Sequence, residues 1–219
     1  MNYNTDQQKL DDLHKVLLKY WEDVAEDASE GHEELGLLNN ALSKITMNPH
    51  FEANTTPALK KLLGSVGEFE TSRESSEALN KAIFEAASLI QWYPNNVYED
   101  AATAEKFENY CANLIGKERD TQSNPSLFYS DNIIVGLFLL GPDRLYPEHA
   151  HPASEMWVIL SGTGMWKRGS EDWQERKPGE YFIHTENQSH AMKTMDEPIL
   201  ALWAWVGDLE QWAKWVENE

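Results

Sequence analysis

One stretch of alternating residues limits the fold more than any other part of the chain. His149, His151, Glu155 and Trp157 all stand at odd positions, and the run continues through β-favouring residues 158–160 to a turn signal at 161–162. Side chains of a β-strand point alternately to its two faces, so an extended conformation would place these four on one side. Imidazole and carboxylate groups bind divalent metals. The stretch therefore predicts a strand that carries a metal site on one face.

The first 120 residues show a helical pattern. Leu10, Leu13, Leu17 and Trp21, for example, follow the three- and four-residue spacing of an amphipathic helix. Proline favours the first turn of a helix and glycine the position after its end. We predict a helical N-terminal region over residues 1–120, with helices near 10–21, 35–42, 57–63, 75–90 and 101–115.

The pattern changes beyond residue 120. Short segments rich in β-branched and aromatic residues alternate with turn signals such as Gly141-Pro142. About eight such strands predict an antiparallel β-barrel or a double-sheet jelly roll over residues 121–219, so the expected fold class is α+β. Asp208 predicts the start of a short terminal helix, 209–216, that packs on the barrel through Trp212 and Trp215. We expect the N-terminal helices either to cover the barrel mouth or to form a dimer contact.

The composition argues against several classes of partner. Phosphate binding needs a basic surface, so a formal net charge of −19 argues against nucleic acids and anionic membranes. The single cysteine cannot form an internal disulfide, and we expect Cys111 to be a small buried residue of the predicted helix 101–115. The N-terminus lacks the features of a secretory signal, and no apolar run has the length of a membrane span. We therefore expect a cytoplasmic protein with a small-molecule partner.

The spacing of His149, His151, Glu155 and His190 resembles the two-motif signature of the cupin superfamily. In cupins the first motif supplies two histidines and a glutamate, the second supplies a histidine from a neighbouring strand, and the barrel closes around one divalent ion. The resemblance implies that these four residues bind one divalent transition metal, and Fe, Mn, Zn, Co and Ni suit such donors alike. It also implies a homodimer, since cupins commonly pair through their sheets. We expect His184, beside a polar loop, to be a surface or loop residue and not a fifth ligand.

A narrower resemblance is to the dimethylsulfoniopropionate (DMSP) lyase family of cupins. It is carried by the run from Tyr146 to Gly162, with Trp166 four residues on, and by the run from His190 to Asp208. These enzymes split DMSP by β-elimination into dimethyl sulfide and acrylate. The resemblance implies that Tyr146 is the base that removes the α proton, while the metal binds the substrate carboxylate and stabilises the enolate-like transition state.

Aromatic side chains near these motifs are expected to bind the substrate. The sulfonium group of DMSP is a cation, and aromatic faces attract cations by about 0.5–2 kcal/mol. We expect this surface to come from Tyr129, Trp157, Trp166, Trp203 and Trp205. Trp157 departs from the family pattern, because many DMSP lyases carry a second tyrosine there and an indole cannot form a phenolate. Either Tyr146 suffices as the base, or the chain acts on another substrate.

Other functions stay open from the residues alone. The same ligand set serves metal-dependent dioxygenases and isomerases, for which oxygen uptake during turnover would be evidence. A cupin can also bind a small carboxylate without turning it over, and ligand-dependent stabilisation without turnover would favour that reading.

Overall fold

The computed structural model describes residues 3–48, 57–95, 108–117 and 126–216. The described helices are α1 (Tyr3–Asp27), α2 (His32–Leu42), α3 (Pro57–Leu63) and α4 (Ser76–Ala86). The described strands are β1 (Thr46–Met47), β2 (Tyr93–Pro94), β3 (Asn109–Gly116), β4 (Phe128–Tyr129), β5 (Ile134–Leu140), β6 (Leu145–Ala150), β7 (Ser154–Ser161), β8 (Gly164–Arg168), β9 (Gln174–Arg176), β10 (Tyr181–His184), β11 (His190–Thr194), β12 (Ile199–Val206) and β13 (Lys214–Trp215). Four of the predicted helices are thus confirmed.

The strands form two sheets. The larger has the order β1-β4-β3-β5-β12-β7-β10, with β2 beside β3, and the smaller has the order β13-β6-β11-β8-β9. Among the described strands, β3 and β4 pair in parallel and all other pairs are antiparallel. Side chains from both sheets, including Phe138, Trp157 and Met192, share one apolar interior. The structure is a double-sheet jelly roll preceded by helices, so the predicted α+β class is confirmed.

The described helices cover the outer face of the larger sheet. Leu13 and Leu17 of α1 belong to the same apolar core as Leu137 and Leu139 of β5, whereas Phe138 faces the other way, into the interior between the sheets. Both faces of β5 are therefore buried, which explains why its sequence is a continuous apolar run without alternation. The sequence predicted that the helices would lie at the barrel mouth or at a dimer contact, and it did not predict their position on the face of the sheet. None of the described helices has the length and apolarity to cross a membrane.

A buried polar cluster joins the helices to the larger sheet. Glu70 accepts hydrogen bonds from the hydroxyl groups of Tyr20, at 2.5 Å, and Ser76, at 2.7 Å. Arg73 lies beside this carboxylate and donates to the backbone carbonyl of Gly179, at 3.0 Å, in the turn before β10. Burial raises the pKa of Glu70, but the hydrogen bonds from Ser76 and Tyr20 outweigh that effect and hold the pKa below its ordinary value.

The predicted helix 101–115 is wrong where the structure describes it. Residues 109–115 lie in β3, which pairs with β5, and residues 101–107 fall outside the described residues. Every residue of β3 is buried, and a strand buried on both faces lacks the alternation that distinguishes it from a helix. Cys111 is buried as expected, but in a strand. The predicted domain boundary at residue 120 also falls outside the described residues and stays a prediction.

The predicted terminal helix 209–216 is also wrong. Within this segment the structure has β13, which pairs with β6. The cap signal has a local explanation, because Asp208 accepts a hydrogen bond from the backbone N–H of Glu210, at 2.9 Å. Asp side chains make the same bond in turns that no helix follows. Trp212 and Trp215 are therefore not the packing face of a helix, and both are partly exposed.

Candidate active site

The four predicted ligands converge between the two sheets. His149 in β6 and His190 in β11 are register partners in the smaller sheet, and Glu155 lies in β7 of the larger sheet. His151 occupies the short connection between β6 and β7. The prediction that one strand carries the first three ligands is therefore wrong. They meet because the chain crosses from one sheet to the other between residues 150 and 154, and not because side chains alternate along one strand.

Glu155 is the centre of the cluster. Its Oε2 lies 3.0 Å from His190 Nε2, 3.5 Å from His151 Nε2 and 3.4 Å from His184 Nδ1. The imidazole of His149 has its centroid 4.2 Å from that of His190. All five side chains are buried. Two ligand sets with atoms within 4.8 Å of one another, His149/His151/His190 and Glu155/His184/His190, share His190.

Backbone carbonyl groups set the tautomer of three imidazoles. Nδ1 of His149, His151 and His190 lies 2.8, 3.0 and 2.9 Å, respectively, from a carbonyl oxygen two residues away along the chain. A carbonyl only accepts, so each Nδ1 carries a proton, and in the neutral form of such an imidazole Nε2 presents a lone pair. Among the described residues, Nε2 of His151 and of His190 has no hydrogen-bond partner. Lone pairs that face a carboxylate in a buried site suit a divalent transition metal, so these residues fit the expected ion.

Burial keeps two of these imidazoles neutral. It lowers the pKa of His149 to about 3 and that of His190 to about 4, with neighbouring imidazoles adding to the effect. Burial alone would raise the pKa of Glu155, but the surrounding imidazoles outweigh it and hold the pKa well below its usual range. The site therefore presents the neutral imidazoles of His149 and His190 and the ionised carboxylate of Glu155 at neutral pH, and these are the protonation states that bind a metal.

His184 belongs to this cluster, so the prediction of a surface residue is wrong. Its side chain is fully buried, it is the register partner of Glu155, and its ring stacks on that of His190 with centroids 4.0 Å apart. A signal for this position was present in the sequence. Phe182, two residues earlier, faces the interior between the sheets, and a period of two places His184 on the same face. Because a polar loop follows directly, the sequence around His184 resembles that of an exposed segment.

A cavity of about 480 Å³ adjoins the cluster, and His149 and Glu155 form part of its wall. This volume is within the usual range for small-molecule sites. Most of the wall is aromatic. The aromatic residues are Tyr93, Phe138, Tyr146, Trp157, Trp203, Trp205, Trp212 and Trp215.

Tyr146, the predicted base, lies in the cavity wall next to the cluster. Its ring is 4.5 Å from that of His149 and 5.2 Å from that of Phe138, centroid to centroid. Asn95 Nδ2 donates a hydrogen bond to Tyr146 Oη at 3.1 Å. The phenol is therefore held beside the space that a ligand bound at the cluster would occupy.

Three of the five predicted substrate-binding residues line the cavity: Trp157, Trp203 and Trp205. Trp205 also contacts the cluster, because its Nε1–H donates to Glu155 Oε1 at 2.6 Å. The other two are not in the lining. Trp166 packs against Trp157, with ring centroids 6.3 Å apart, and Tyr129 lies in β4, paired with β1 towards the edge of the larger sheet.

Several lining residues were missed because they come from distant parts of the chain. Tyr93 and Cys111 come from the paired strands β2 and β3, and Lys214 comes from the C-terminal segment. Trp215 is the register partner of His149, and their ring centroids are 6.1 Å apart. Strand pairing brings these residues to the cavity over long separations in sequence, which no local pattern reports.

Comparison with known proteins identifies the family. The family model for dimethylsulfoniopropionate lyase matches residues 38–201, which is most of the chain. The chain belongs to the DMSP lyase family. One curated relative is the DMSP lyase DddQ of Ruegeria pomeroyi. It is 30% identical to this chain over 137 residues, which cover 61% of this chain and 63% of that protein. These matches span less than two thirds of the length of the curated relatives.

Two crystal structures of DMSP lyases have the same fold. That of DddQ from Ruegeria pomeroyi has a TM-score of 0.71 at 23% identity, covering 95% of this chain and 98% of the other. That of the DMSP lyases RdDddP and RnDddQII has a TM-score of 0.72 at 20% identity, covering 97% of this chain and all of the other. The family predicted from the two motifs is thus confirmed, and the helices and the jelly roll are shared with its solved members.

Proposed function

We propose that this chain is a metal-dependent carbon–sulfur lyase that splits DMSP by β-elimination. The observation that carries the proposal is the position of Tyr146, in the wall of a largely aromatic cavity and directly beside the buried imidazole and carboxylate cluster. Membership in the DMSP lyase family supports the substrate and the reaction.

The metal site would be formed by His149, His151, Glu155 and His190. Their donor atoms suit a divalent ion of Fe, Mn, Zn, Co or Ni. When bound, such an ion supplies Lewis-acid stabilisation of the negative charge that develops on the substrate carboxylate as the α carbon loses its proton. The hydrogen bonds from each Nδ1 to a backbone carbonyl hold the imidazoles in the required tautomer.

Tyr146 would act as the base. As a phenolate, its Oη accepts the α proton of DMSP, and the electron pair of that C–H bond forms the Cα–Cβ double bond. The Cβ–S bond breaks, and its electron pair leaves on sulfur. The products are acrylate, neutral dimethyl sulfide and the protonated tyrosine, so charge and atoms balance. The N–H of Asn95 that points at Oη stabilises the phenolate more than the phenol, since hydrogen bonds to a charged acceptor are stronger.

The aromatic wall would hold the sulfonium group. Indole and phenyl faces attract a cation by about 0.5–2 kcal/mol, and Trp157, Trp203 and Phe138 offer such faces in the cavity lining. The same apolar surfaces exclude water from the reacting atoms. In this arrangement Trp157 contributes a binding surface and takes no part in proton transfer.

The direct test is headspace gas chromatography of purified, metal-loaded protein given DMSP under nitrogen. We expect dimethyl sulfide and acrylate to form in equal amounts. No dimethyl sulfide from a protein that has bound metal would overturn the choice of substrate.

Trp157 favours one alternative, which is the same elimination from another small β-substituted carboxylate. This residue stands where many DMSP lyases carry a tyrosine, and it changes the shape of the wall beside Phe138, whose ring centroid is 5.5 Å away. A panel of β-substituted propionates in the same anaerobic assay separates the substrates. Turnover that requires oxygen would instead indicate a dioxygenase.

A further inference from the structure

The carboxylate of Glu155 is flanked by ring nitrogen atoms from both neighbouring strands. Strand β7 lies between β10 and β12, and the register partners of Glu155 on the two sides are His184 and Trp205. Trp205 Nε1–H donates to Oε1 at 2.6 Å. His184 Nδ1 lies 3.4 Å from Oε2. Cross-strand partners are the closest neighbours that a sheet can supply, so this arrangement follows directly from the register.

The two carboxylate oxygens have different surroundings. Oε1 accepts from the indole N–H, whereas Oε2 faces three imidazole nitrogen atoms, those of His190, His184 and His151, at 3.0, 3.4 and 3.5 Å. The indole of Trp205 also lies against the imidazole of His151, with ring centroids 4.1 Å apart. Trp205 therefore contacts two of the four candidate ligands, although it is not itself a metal-binding residue type.

We propose that Trp205 and His184 are positioning residues that hold the Glu155 carboxylate with Oε2 as the atom offered to the metal. This inference rests on the proposed metal centre. It gives Trp205 and His184 a positioning role that the two sequence motifs do not assign to them. A carboxylate held in place by donors loses less side-chain entropy when it binds an ion, and a short bond from an N–H to an ionised oxygen is strong. Partners that orient metal ligands typically change metal affinity by about 10- to 100-fold.

The proposed role of His184 requires one tautomer. A carboxylate oxygen only accepts, so Nδ1 must carry the proton when His184 bonds to Glu155. An asparagine side chain places an N–H close to the position of Nδ1, whereas leucine has no donor. The two substitutions therefore separate donation to Glu155 from metal ligation by His184, because an amide N–H cannot replace an imidazole lone pair.

The experiment measures Co²⁺ affinity of the metal-free full-length chain by competition with a chelator, and the visible absorption of the bound Co²⁺. For Trp205→Phe, which keeps an aromatic ring and loses the N–H, we expect affinity to fall about 10- to 100-fold and the absorption bands to shift. The matched control is Trp21→Phe in α1, whose indole lies in the core between the helices and the larger sheet and outside the cavity lining. Its indole N–H is buried without a hydrogen-bond partner among the described residues, so the same change should leave Co²⁺ affinity at the wild-type level.

For His184, we expect His184→Asn to bind Co²⁺ nearly as tightly as wild type and His184→Leu to bind at least about tenfold more weakly. Equal losses in both variants would overturn the positioning role and indicate a ligand. Wild-type affinity in Trp205→Phe would overturn the role of the indole. Thermal unfolding of each metal-free variant checks folding, and if Trp205→Phe does not fold, the His184 pair decides.

The outcomes also separate this inference from the proposed lyase activity. A wild-type chain that binds Co²⁺ through the Trp205-dependent site but releases no dimethyl sulfide contradicts the proposed reaction alone. A wild-type chain that binds no divalent metal contradicts both.

Discussion

Tyr146 illustrates how the candidate site is held together at the level of single residues. Its ring packs between His149 and Phe138, and its hydroxyl accepts a hydrogen bond from Asn95. Of these contacts, only the ring contact with His149 involves a proposed metal ligand, and it does not use the hydroxyl group. The position of the base and the affinity of the metal site should therefore be separable by substitution.

The first prediction concerns that separation. Tyr146→Phe removes only the hydroxyl and keeps the ring contacts, so we expect metal content to stay at the wild-type level while elimination is lost. The measurements are elemental analysis and dimethyl sulfide release. Near wild-type rates in this variant would show that another group removes the proton.

The second prediction concerns the ligands. Glu155→Ala and His190→Ala each remove a donor from the centre of the cluster, where Oε2 and Nε2 are 3.0 Å apart. We expect both variants to lose bound metal, because each substitution leaves the site with one donor fewer. Elemental analysis after purification in metal-containing buffer measures this loss. Metal content equal to wild type would remove these residues from the site.

At the level of secondary-structure elements, the pairing of β5 with β12 shapes one wall of the cavity. Gly136 is the register partner of Trp203. A Cβ atom at Gly136 would lie 2.7 Å from the Trp203 ring and 2.6 Å from the backbone carbonyl of Ala112. Glycine is required here for space and not for an unusual backbone angle, since only a residue without a side chain leaves room for the indole.

The third prediction follows from this close approach. Gly136→Ala should force the Trp203 ring to move and destabilise the fold by about 1–3 kcal/mol, the usual cost of overpacking. Urea unfolding measures the change. The control is Gly36→Ala in α2, where nothing lies within 4 Å of an added Cβ and where alanine should stabilise the helix by about 0.5–1 kcal/mol. A Gly136→Ala variant as stable as wild type would contradict the packing argument.

At the level of the whole molecule, the helices and the jelly roll depend on each other. The outer face of the larger sheet is apolar and is covered by the helices, so removing them would expose part of the main core. The cluster around Glu70 adds a polar connection between the same parts, because it joins α1 to the turn before β10 through Tyr20 and Arg73.

The fourth prediction is a pH dependence of this connection. The pKa of Glu70 is lower in the folded chain than its ordinary value, so the folded state binds fewer protons. The contribution of Glu70 is therefore complete above its ordinary pKa of about 4.3 and is lost as the pH falls through the folded-state pKa. Glu70→Gln should lower the free energy of unfolding by about 1–3 kcal/mol at neutral pH and by less in acid, since the amide nitrogen cannot accept the two bonds from Ser72 and the charge beside Arg73 is lost.

Urea unfolding at neutral pH and near pH 4 measures this difference. The exposed neighbour Glu68 provides the control, and Glu68→Gln should change stability little at either pH. A deficit of Glu70→Gln that stayed the same at both pH values would contradict the ionic origin of the effect.

Much of the candidate site was predictable from local spacing. His149, His151, Glu155 and His190 were identified from residue type and interval, and the four helices α1 to α4 were identified from apolar periodicity. Such patterns depend only on residues that are close together in the sequence, so they can be identified without knowing how the rest of the chain folds. The interval between the ligands predicted the cluster even though the single strand inferred from it does not exist.

The errors have a common origin in long-range contacts. Strand β3 was taken for a helix because burial on both faces removes the alternation of a strand, and both faces are buried only because helices and a second sheet cover them. The segment with Trp212 and Trp215 was taken for a helix because an aspartate cap and a turn use the same side-chain bond.

By itself, the sequence determined the class of fold and the family, and it predicted the four side chains that we propose as metal ligands, because periodicity and ligand spacing are properties of neighbouring residues. Only the tertiary structure decided which side chains surround those ligands. It placed His184 and Trp205 on either side of Glu155 and brought Tyr93 and Trp215 to the cavity. The physical reason is that strand register and sheet order are set by pairing between distant segments, which depends on how the whole chain buries its apolar surface.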